Sequence, residues 1–346
     1  TGVQTCALPI LMQNFIFLLI QASASFALAI ILTPIYTFFA FKLKLWKQIR
    51  TTTTTGEKAK VFASLHAEKH KRNIPTMAGI IMVVSVAVIT LFTNLSRSQT
   101  YLPLFGLVTA GAIGLIDDII NIRGNGKGVA GLRTPLKFFL ILLIAIVGAL
   151  YFYFKLGYSM IHVPAVGNFE IGLWYIPLFI LVIISTSNAV NITDGLDGLS
   201  GGLLATAFGA FAIIALAQGN VGIAGFCMAS VGAVLAYTWF NIFPARFFMG
   251  DIGSFALGTA LGIVAMLTNS VFVLPIIGFV FVIEAGSSLI QILSKKIFKR
   301  KIFISAPLHH HLEAKGWPET KVTMRLWIIG AICACLGIMI GLVGKG

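Results

Sequence analysis

The chain has 346 residues, 58% of them hydrophobic and only 10% charged, with 25 Lys+Arg against 11 Asp+Glu. Soluble globular domains carry about a quarter charged residues. With a mean hydropathy of +0.96, the composition excludes an ordinary cytosolic enzyme, a disordered chain, a secreted disulfide scaffold and a nucleic-acid partner. The apolar residues suffice for roughly ten membrane helices of about 20 residues each. The fold class expected is an all-α polytopic integral membrane protein embedded in a lipid bilayer.

Residues 1–10, TGVQTCALPI, match an in-frame translation of a common sequencing-adapter oligonucleotide. They are expected to be a non-native leader, with the native chain starting near Met12 and 11–346 forming a single transmembrane domain. Apolar runs then recur at about 11–41, 74–93, 101–119, 136–154, 173–190, 199–218, 221–240, 254–268, 271–293 and 326–343. Ten spans put both termini on one side. Of the 25 basic residues, all but Arg97, Lys155 and Lys345 fall in the odd-numbered connections. The positive-inside rule therefore makes those connections cytoplasmic and both termini extracytoplasmic.

Thr51–Thr55 is a polar tract in the first of these loops and reads as a linker. The 294–325 loop is long enough to hold a short helix or hairpin. Cys227, Cys333 and Cys335 fall in apolar runs and read as packing or lipid-facing residues rather than a disulfide framework. No internal repeat is visible.

The five aspartates occur in three places. Asp117 and Asp118 lie in GLIDDIINIRG, Asp194 and Asp197 in NAVNITDGLDGLSGG, and Asp251 in FPARFFMGDIGSFALG. Each place is the cytoplasmic end of an apolar run, where carboxylates are costly unless paired, hydrated or bound to a cation. Their convergence suggests a site for a hard divalent cation, and Mg²⁺ suits oxygen ligands combined with phosphate. An acidic pair such as Asp117-Asp118 is, taken alone, equally a solvated helix cap. Asn188, Asn191, Asp194, Gly195, Asp197 and Gly198 are harder to explain structurally, because glycines admit a close ligand and Asn and Asp supply oxygens.

His309, His310 and His311 are three of the six histidines. Adjacent imidazoles rarely converge on one metal, so contact with phosphate or proton transfer is preferred to zinc. His66, His70 and His162 read as ordinary loop residues. Lys137, at the membrane edge, either neutralises a phosphate or snorkels. Glu284 is an ionisable group inside an apolar run, hence a site candidate or a structural hydrogen-bonding partner.

At these residues the chain resembles the phospho-N-acetylmuramoyl-pentapeptide transferase family, within the polyprenyl-phosphate sugar-1-phosphate transferases. The likeness rests on PTMAG (75–79), LIDD (115–118), NAVNITDGLDGLSGG (188–202), FFMGDIGSFALG (247–258), EAGSSLIQ (284–291) and APLHHHLEAKGWPETKVTMRLWII (306–329). Asn73-Ile74 stand where the family usually has Gly-Thr, and Ala78 where it has Gly.

The resemblance implies that undecaprenyl phosphate attacks UDP-MurNAc-pentapeptide and releases UMP, with Mg²⁺, at the cytoplasmic face of a bacterial inner membrane. It also implies a homodimer. By motif match, Asp251 and Asn191 contact Mg²⁺, and Asp117 and Asp118 hold the acceptor phosphate or take its proton. Asp194, Lys137 and His310 orient phosphates. Gly195, Leu196, Asp197, Phe248, Asn241, Gln291, Lys71 and Thr76 map to the uridine pocket, with Phe248 stacking on the base. Asn188, His309 and His311 complete the substrate contacts. Two other readings are a transferase of the UDP-N-acetylhexosamine branch, which generally lacks this triple-His loop, and a cation-coupled transporter. A transporter would place its acids near the midplane, and here they lie at one face.

Overall fold

A computed structural model describes residues 2–46, 73–96, 98–124, 132 and 134–343. The long helices are α1 (Gly2–Lys42), α2 (Gly79–Thr93), α3 (Tyr101–Arg123), α4 (Thr134–Leu150), α5 (Tyr175–Thr193), α6 (Leu199–Ala217), α7 (Val221–Asn241) and α8 (Gly250–Leu267). A single turn, α9 (Leu274–Ile277), leads into α10 (Phe279–Phe298), the short α11 (Leu308–Ala314) and the final α12 (Glu319–Leu342). Among the described residues, eight helices are long and apolar enough to cross a membrane. The other two correspond to expected spans but fall outside that set. α2 has only 15 residues, because PTMA, near the start of its apolar run, is not helical and Pro75 pairs with Trp46 instead. α10 is amphipathic and carries Glu284, Lys295 and Lys296. The architecture is mostly helical and fits a polytopic membrane protein.

The apolar run at 271–293 is broken at Gly278, between α9 and α10. α4 continues as a π turn over Tyr151–Lys155. It leads to a hairpin that the sequence reading does not anticipate, Met160–Val163 paired antiparallel with Gly167–Glu170. His162, read as a loop residue, is buried in this hairpin; its Nδ1 lies 2.8 Å from Asn168 Oδ1, and its N–H donates to Asn269 Oδ1 at 2.9 Å. Cys227, Cys333 and Cys335 are free thiols. The long loop before α12 holds α11, as its length allowed.

Every residue of α8 is buried. It is the axial helix, packing most extensively on α3 and then on α5, with α2 also against it. Water gives no hydrophobic drive between helices in lipid, so close backbone approach of small residues has to supply the packing. At Gly114 of α3 a Cβ would collide with the carbonyl of Asp251 in α8. At Gly79 of α2 it would collide with the backbone of Gly253 in α8. Gly258 and Gly262 sit against Thr186 and Ser187 of α5 in the same way.

The segment before α2 is laced to the segment before α8. Phe248 N–H donates to Pro75 C=O (2.8 Å), Ala78 N–H to Phe248 C=O (3.0 Å) and Gly79 N–H to Met249 C=O (2.8 Å). Tyr36 of α1 donates its hydroxyl to Thr76 C=O at 2.6 Å and lines an apolar groove of about 300 Å³ with Leu32, Phe39, Met77 and Ile80. At the other end of the bundle, Asn94 and Gln99 bond the backbone of Gly222, and Gln218 bonds Thr268 C=O. Both ends are therefore tied by polar bonds, and the helices between them pack by apolar contact.

Gly114→Ala is expected to force α3 off α8 and cost about 1–3 kcal/mol, the range for overpacking. Gly209→Ala, where a Cβ meets nothing within 4 Å, is expected to be neutral or slightly stabilising because Ala favours helix. Thermal unfolding of both variants in detergent checks the contrast; equal midpoints would contradict it.

Candidate active site

The Gly114 contact sets the site. It presses the last turns of α3 against the first turn of α8, so Asp117 and Asp118 meet Asp251. The three carboxylates are 2%, 0% and 6% exposed, and one oxygen from each lies within 4.8 Å of the others. Asp118 Oδ2 accepts the Ile252 N–H (3.1 Å), and Asp117 Oδ1 accepts the Leu132 N–H. Gly250, at φ +74°, faces Asp118 so closely that a Cβ would strike its Oδ2. Only glycine holds that backbone conformation without strain.

Lys137, in the first turns of α4, reaches between two of the acids. Its Nζ lies 2.7 Å from Asp117 Oδ2 and 2.6 Å from Asp251 Oδ2, and 5.6 Å from the centre of the Phe255 ring. The ammonium is thus held by two carboxylates rather than snorkelling to the membrane edge. At an effective dielectric near 20, like charges at 4.8 Å repel by roughly 3 kcal/mol per pair. One ammonium leaves three ionised carboxylates with a net charge of −2. That residual charge fits a divalent cation with oxygen ligands, and these three acids can hold a metal ion.

Asn191, on α5, joins the same cluster. Its Nδ2 donates to Asp251 Oδ1 (3.3 Å) and to Ser254 Oγ (2.8 Å), which leaves the amide oxygen as its ligand-type atom. Asn188 lies one turn earlier and donates back to Ile184 C=O at 2.8 Å. Asp194 follows the last residue of α5, as its C-cap. That position carries the negative end of the helix dipole, an unfavourable place for an acid.

The turn after Asp194 is held from three sides. The Asp197 N–H donates to Glu319 Oε1 (2.7 Å), its Oδ2 accepts the Ala245 N–H (3.0 Å), and its C=O accepts from Thr323 (3.3 Å). Asn241 accepts the Gly198 N–H with Oδ1 and donates Nδ2 to Phe247 C=O, both at 2.9 Å. Trp327 donates to the carbonyls of Gly198 and Leu199 at 3.2 and 3.3 Å. Leu196 is buried within this turn, whereas Phe248 is half-buried. Thr76 Oγ1 is buried, has no hydrogen-bond partner among the described residues, and borders Gly250. Lys71 and the Thr51–Thr55 tract lie outside the described residues.

The three histidines occupy three environments. His309 is 0% exposed; its N–H (3.2 Å) and Nδ1 (2.9 Å) both meet Glu284 Oε2, itself 0% exposed. Its ring lies so close to Gly195 that a Cβ there would strike Nε2. His310 Nδ1 lies 2.8 Å from Glu313 Oε2, and its ring sits 4.2 Å from the His309 ring. His311 Nδ1 accepts the Ile304 N–H at 3.2 Å; burial, and then the charge of Lys315, hold its pKa below the usual histidine value. Gln291 braces the same loop by accepting the N–H groups of Ile302 and Phe303 and donating to Phe303 C=O, each at 3.0 Å.

The structure thus joins Asp117, Asp118, Asp251, Lys137 and Asn191 directly, and links His309 to the Asp194–Gly198 turn through Gly195. Sequence reasoning missed Ser254, Glu313 and Glu319. Glu313 stands three residues after His310, a spacing that puts both on one helix face. Ser254 stands three after Asp251 and is visible by the same rule. Glu319 carries no such signal, because its partner is 122 residues away.

The Glycosyl transferase family 4 profile matches residues 100–269, which include every aspartate described above. The phospho-N-acetylmuramoyl-pentapeptide-transferase of Chloroflexus aurantiacus (strain ATCC 29366 / DSM 635 / J-10-fl) is 38% identical, with 96% of this chain and 92% of the relative covered. Those of Geobacillus sp. (strain WCH70) and Bacillus mycoides (strain KBAB4) are both 42% identical. They cover 91% and 94% of this chain and 95% and 98% of their own lengths. Similarity of that extent, over both the helices and the acidic cluster, places this chain in the phospho-N-acetylmuramoyl-pentapeptide-transferase family.

Proposed function

We propose that the protein transfers phospho-MurNAc-pentapeptide from UDP-MurNAc-pentapeptide to undecaprenyl phosphate, releasing UMP, as a Mg²⁺-dependent homodimer at the cytoplasmic face of a bacterial inner membrane. Family membership makes it a membrane-embedded phosphoglycosyl transferase. The observation that carries the mechanism is the buried triad of Asp117, Asp118 and Asp251 bridged by Lys137.

The chemistry brings two phosphates together. An oxygen of the acceptor phosphate attacks the donor's β-phosphorus. The bond from that phosphorus to the α-phosphate oxygen breaks, UMP departs, and a pyrophosphoryl lipid stays in the membrane. Such transfer depends mainly on positioning and charge stabilisation. Asp117, Asp118, Asp251 and Asn191 would hold Mg²⁺, whose chemistry there is neutralisation of phosphate charge and polarisation of the bond to UMP.

Lys137 carries a mobile positive charge between the acids and the phosphates. Asp117 and Asp118 orient the acceptor phosphate and take its proton where it carries one. Asp194 and His310 orient the donor phosphates. Gly195, Leu196 and Asp197 form the floor for uridine, with Phe248 against the base and Lys71, Thr76 and Asn188 around it. Asn241 and Gln291 act by fixing the turn and the loop that they bond, and His309 and His311 by shaping the donor side.

Purified protein with undecaprenyl phosphate and Mg²⁺ is expected to release UMP from UDP-MurNAc-pentapeptide and not from UDP-GlcNAc. EDTA abolishes the release, and added Mg²⁺ restores it. Release from UDP-GlcNAc alone would move the protein to the sister branch. Asp251→Ala is expected to lower kcat by about 10³-fold, the upper range for removing one electrostatic element.

Lys137→Met is expected to lower kcat by about 10²-fold or more. It also leaves the acids without their ammonium, so Mg²⁺ should raise the melting midpoint of this variant more than that of the wild type. Equal Mg²⁺-induced shifts would count against the neutralising role.

A further inference from the structure

Glu313 is absent from the roles assigned above, yet it is one of six buried acids among the described residues. It sits on α11, three residues after His310, and the two side chains meet at 2.8 Å between His310 Nδ1 and Glu313 Oε2. Both residues are 8% exposed. A carboxylate this far from water is expensive unless its partner needs it.

α11 does not need Glu313 for its placement. Its start is fastened by Glu284, which takes both the N–H and Nδ1 of His309. Its end is closed by Gly316, at φ +90°, whose N–H bonds Glu313 C=O, and by the Trp317 N–H on Leu312 C=O. The loop before it is braced by Gln291. The backbone of Glu313 thus helps to close the helix, and its side chain meets the imidazole of His310. His309 packs the other side of that imidazole, at 4.2 Å and 63° between rings, and itself rests on Gly195 beside Asp194.

We propose that Glu313 is a positioning residue for the transfer: its carboxylate takes the Nδ1–H of His310, fixing ring orientation and tautomer so that the Nε2 edge faces the donor phosphates. A carboxylate on one nitrogen of an imidazole determines which nitrogen carries the proton and raises the basicity of the other. Glu284 does the same for His309, but there the second nitrogen points at a glycine, so that pair is a strut. Two carboxylate–histidine pairs one residue apart thus divide the work: the first sets the height of the histidine loop over the Asp194–Gly198 turn, and the second aims a ring. The proposal rests on the reading of His310 as a phosphate-orienting group.

The test is a double-mutant cycle in the full-length protein in detergent, read by UMP release. Glu313→Ala is expected to lower kcat by about 10–100-fold, the usual effect of losing the partner of a functional histidine. KM for both substrates should stay within about twofold, because the ring acts at the reacting phosphates. Glu313→Gln keeps the shape and loses the charge; it should fall between wild type and Glu313→Ala, and it carries the test if the alanine variant does not fold.

The decisive arm is Glu313→Ala placed on His310→Ala. A residue that acts only through His310 adds no further loss there, so the double variant should match His310→Ala within about twofold. Multiplied losses would overturn the proposal. So would wild-type turnover in both Glu313 variants, or a loss seen only as a lowered melting midpoint or a raised KM. Wild-type turnover in His310→Ala would overturn the reading of His310 and this proposal with it, leaving UMP release by the wild type to stand on its own.

Discussion

Three carboxylates held within 4.8 Å of one another in a nearly dry setting constitute the constraint around which the molecule is organised. Their mutual repulsion opposes folding, and helix contact is what overcomes it. α8 is buried along its whole length, and glycines at 79, 114 and 253 let α2 and α3 approach its first turns backbone to backbone. Without that approach Asp251 would stand apart from Asp117 and Asp118, and repulsion would keep it there. Asp251 also sits in the first turn of its helix, where the dipole favours an anion. Lys137 then supplies one positive charge from a fourth helix. The fold so prepares a negative site that is only partly neutralised, which is the electrostatic condition for recruiting a divalent cation and, through it, two phosphates.

The second level of organisation is a set of braces behind the Asp194–Gly198 turn. Glu319, Asn241, Thr323 and Trp327 come from two other helices and the segments next to them, and each bonds the backbone of this turn. Asp197 spends one carboxylate oxygen on Ala245 N–H. A turn tied at that many points keeps its shape when a charged ligand arrives, and rigid dipoles stabilise developing charge without reorganising. Asn241 and Gln291, which the motif assigns to a ligand, spend their amides on backbone groups of the turn and the loop.

Much of this was legible in the sequence because membrane-spanning runs and acid placement are both strong signals. Each of the ten apolar runs is mainly helical, one of them broken into two helices, and the three aspartate clusters gather at one end of the bundle. Legibility stopped where structure depends on long-range pairing. The apolar run starts only at about 254, because Gly250, Asp251 and Gly253 lower the local hydropathy. Yet those residues are helical, and burial against α2 and α3 is what makes glycine acceptable there. The run at 271–293 gives no sign of the break at Gly278 and stops short of Lys295 and Lys296, which are still helical, whereas Glu284 stands out in it as an ionisable group. The hairpin at 160–170 has short, mixed strands that carry little alternation. The acids that Lys137 pairs with are not legible from its neighbours in the chain, since they are 20 and 114 residues away.

The histidine loop shows why adjacency in sequence misleads about function. Three consecutive imidazoles on one turn point in different directions, about 100° apart on a helix. The neighbour that each one meets then fixes its chemistry. His309 is enclosed between Glu284 and Gly195, His310 is paired with Glu313, and His311 is kept neutral beside Lys315 and accepts a backbone N–H. One tripeptide thus yields a strut, an aimed ring and a loop anchor. The acids that make the difference lie at i+3 in one case and 25 residues back in the other. The inner histidine is fixed by two bonds to one buried carboxylate and the outer one accepts a single backbone N–H, so stiffness is graded along the tripeptide.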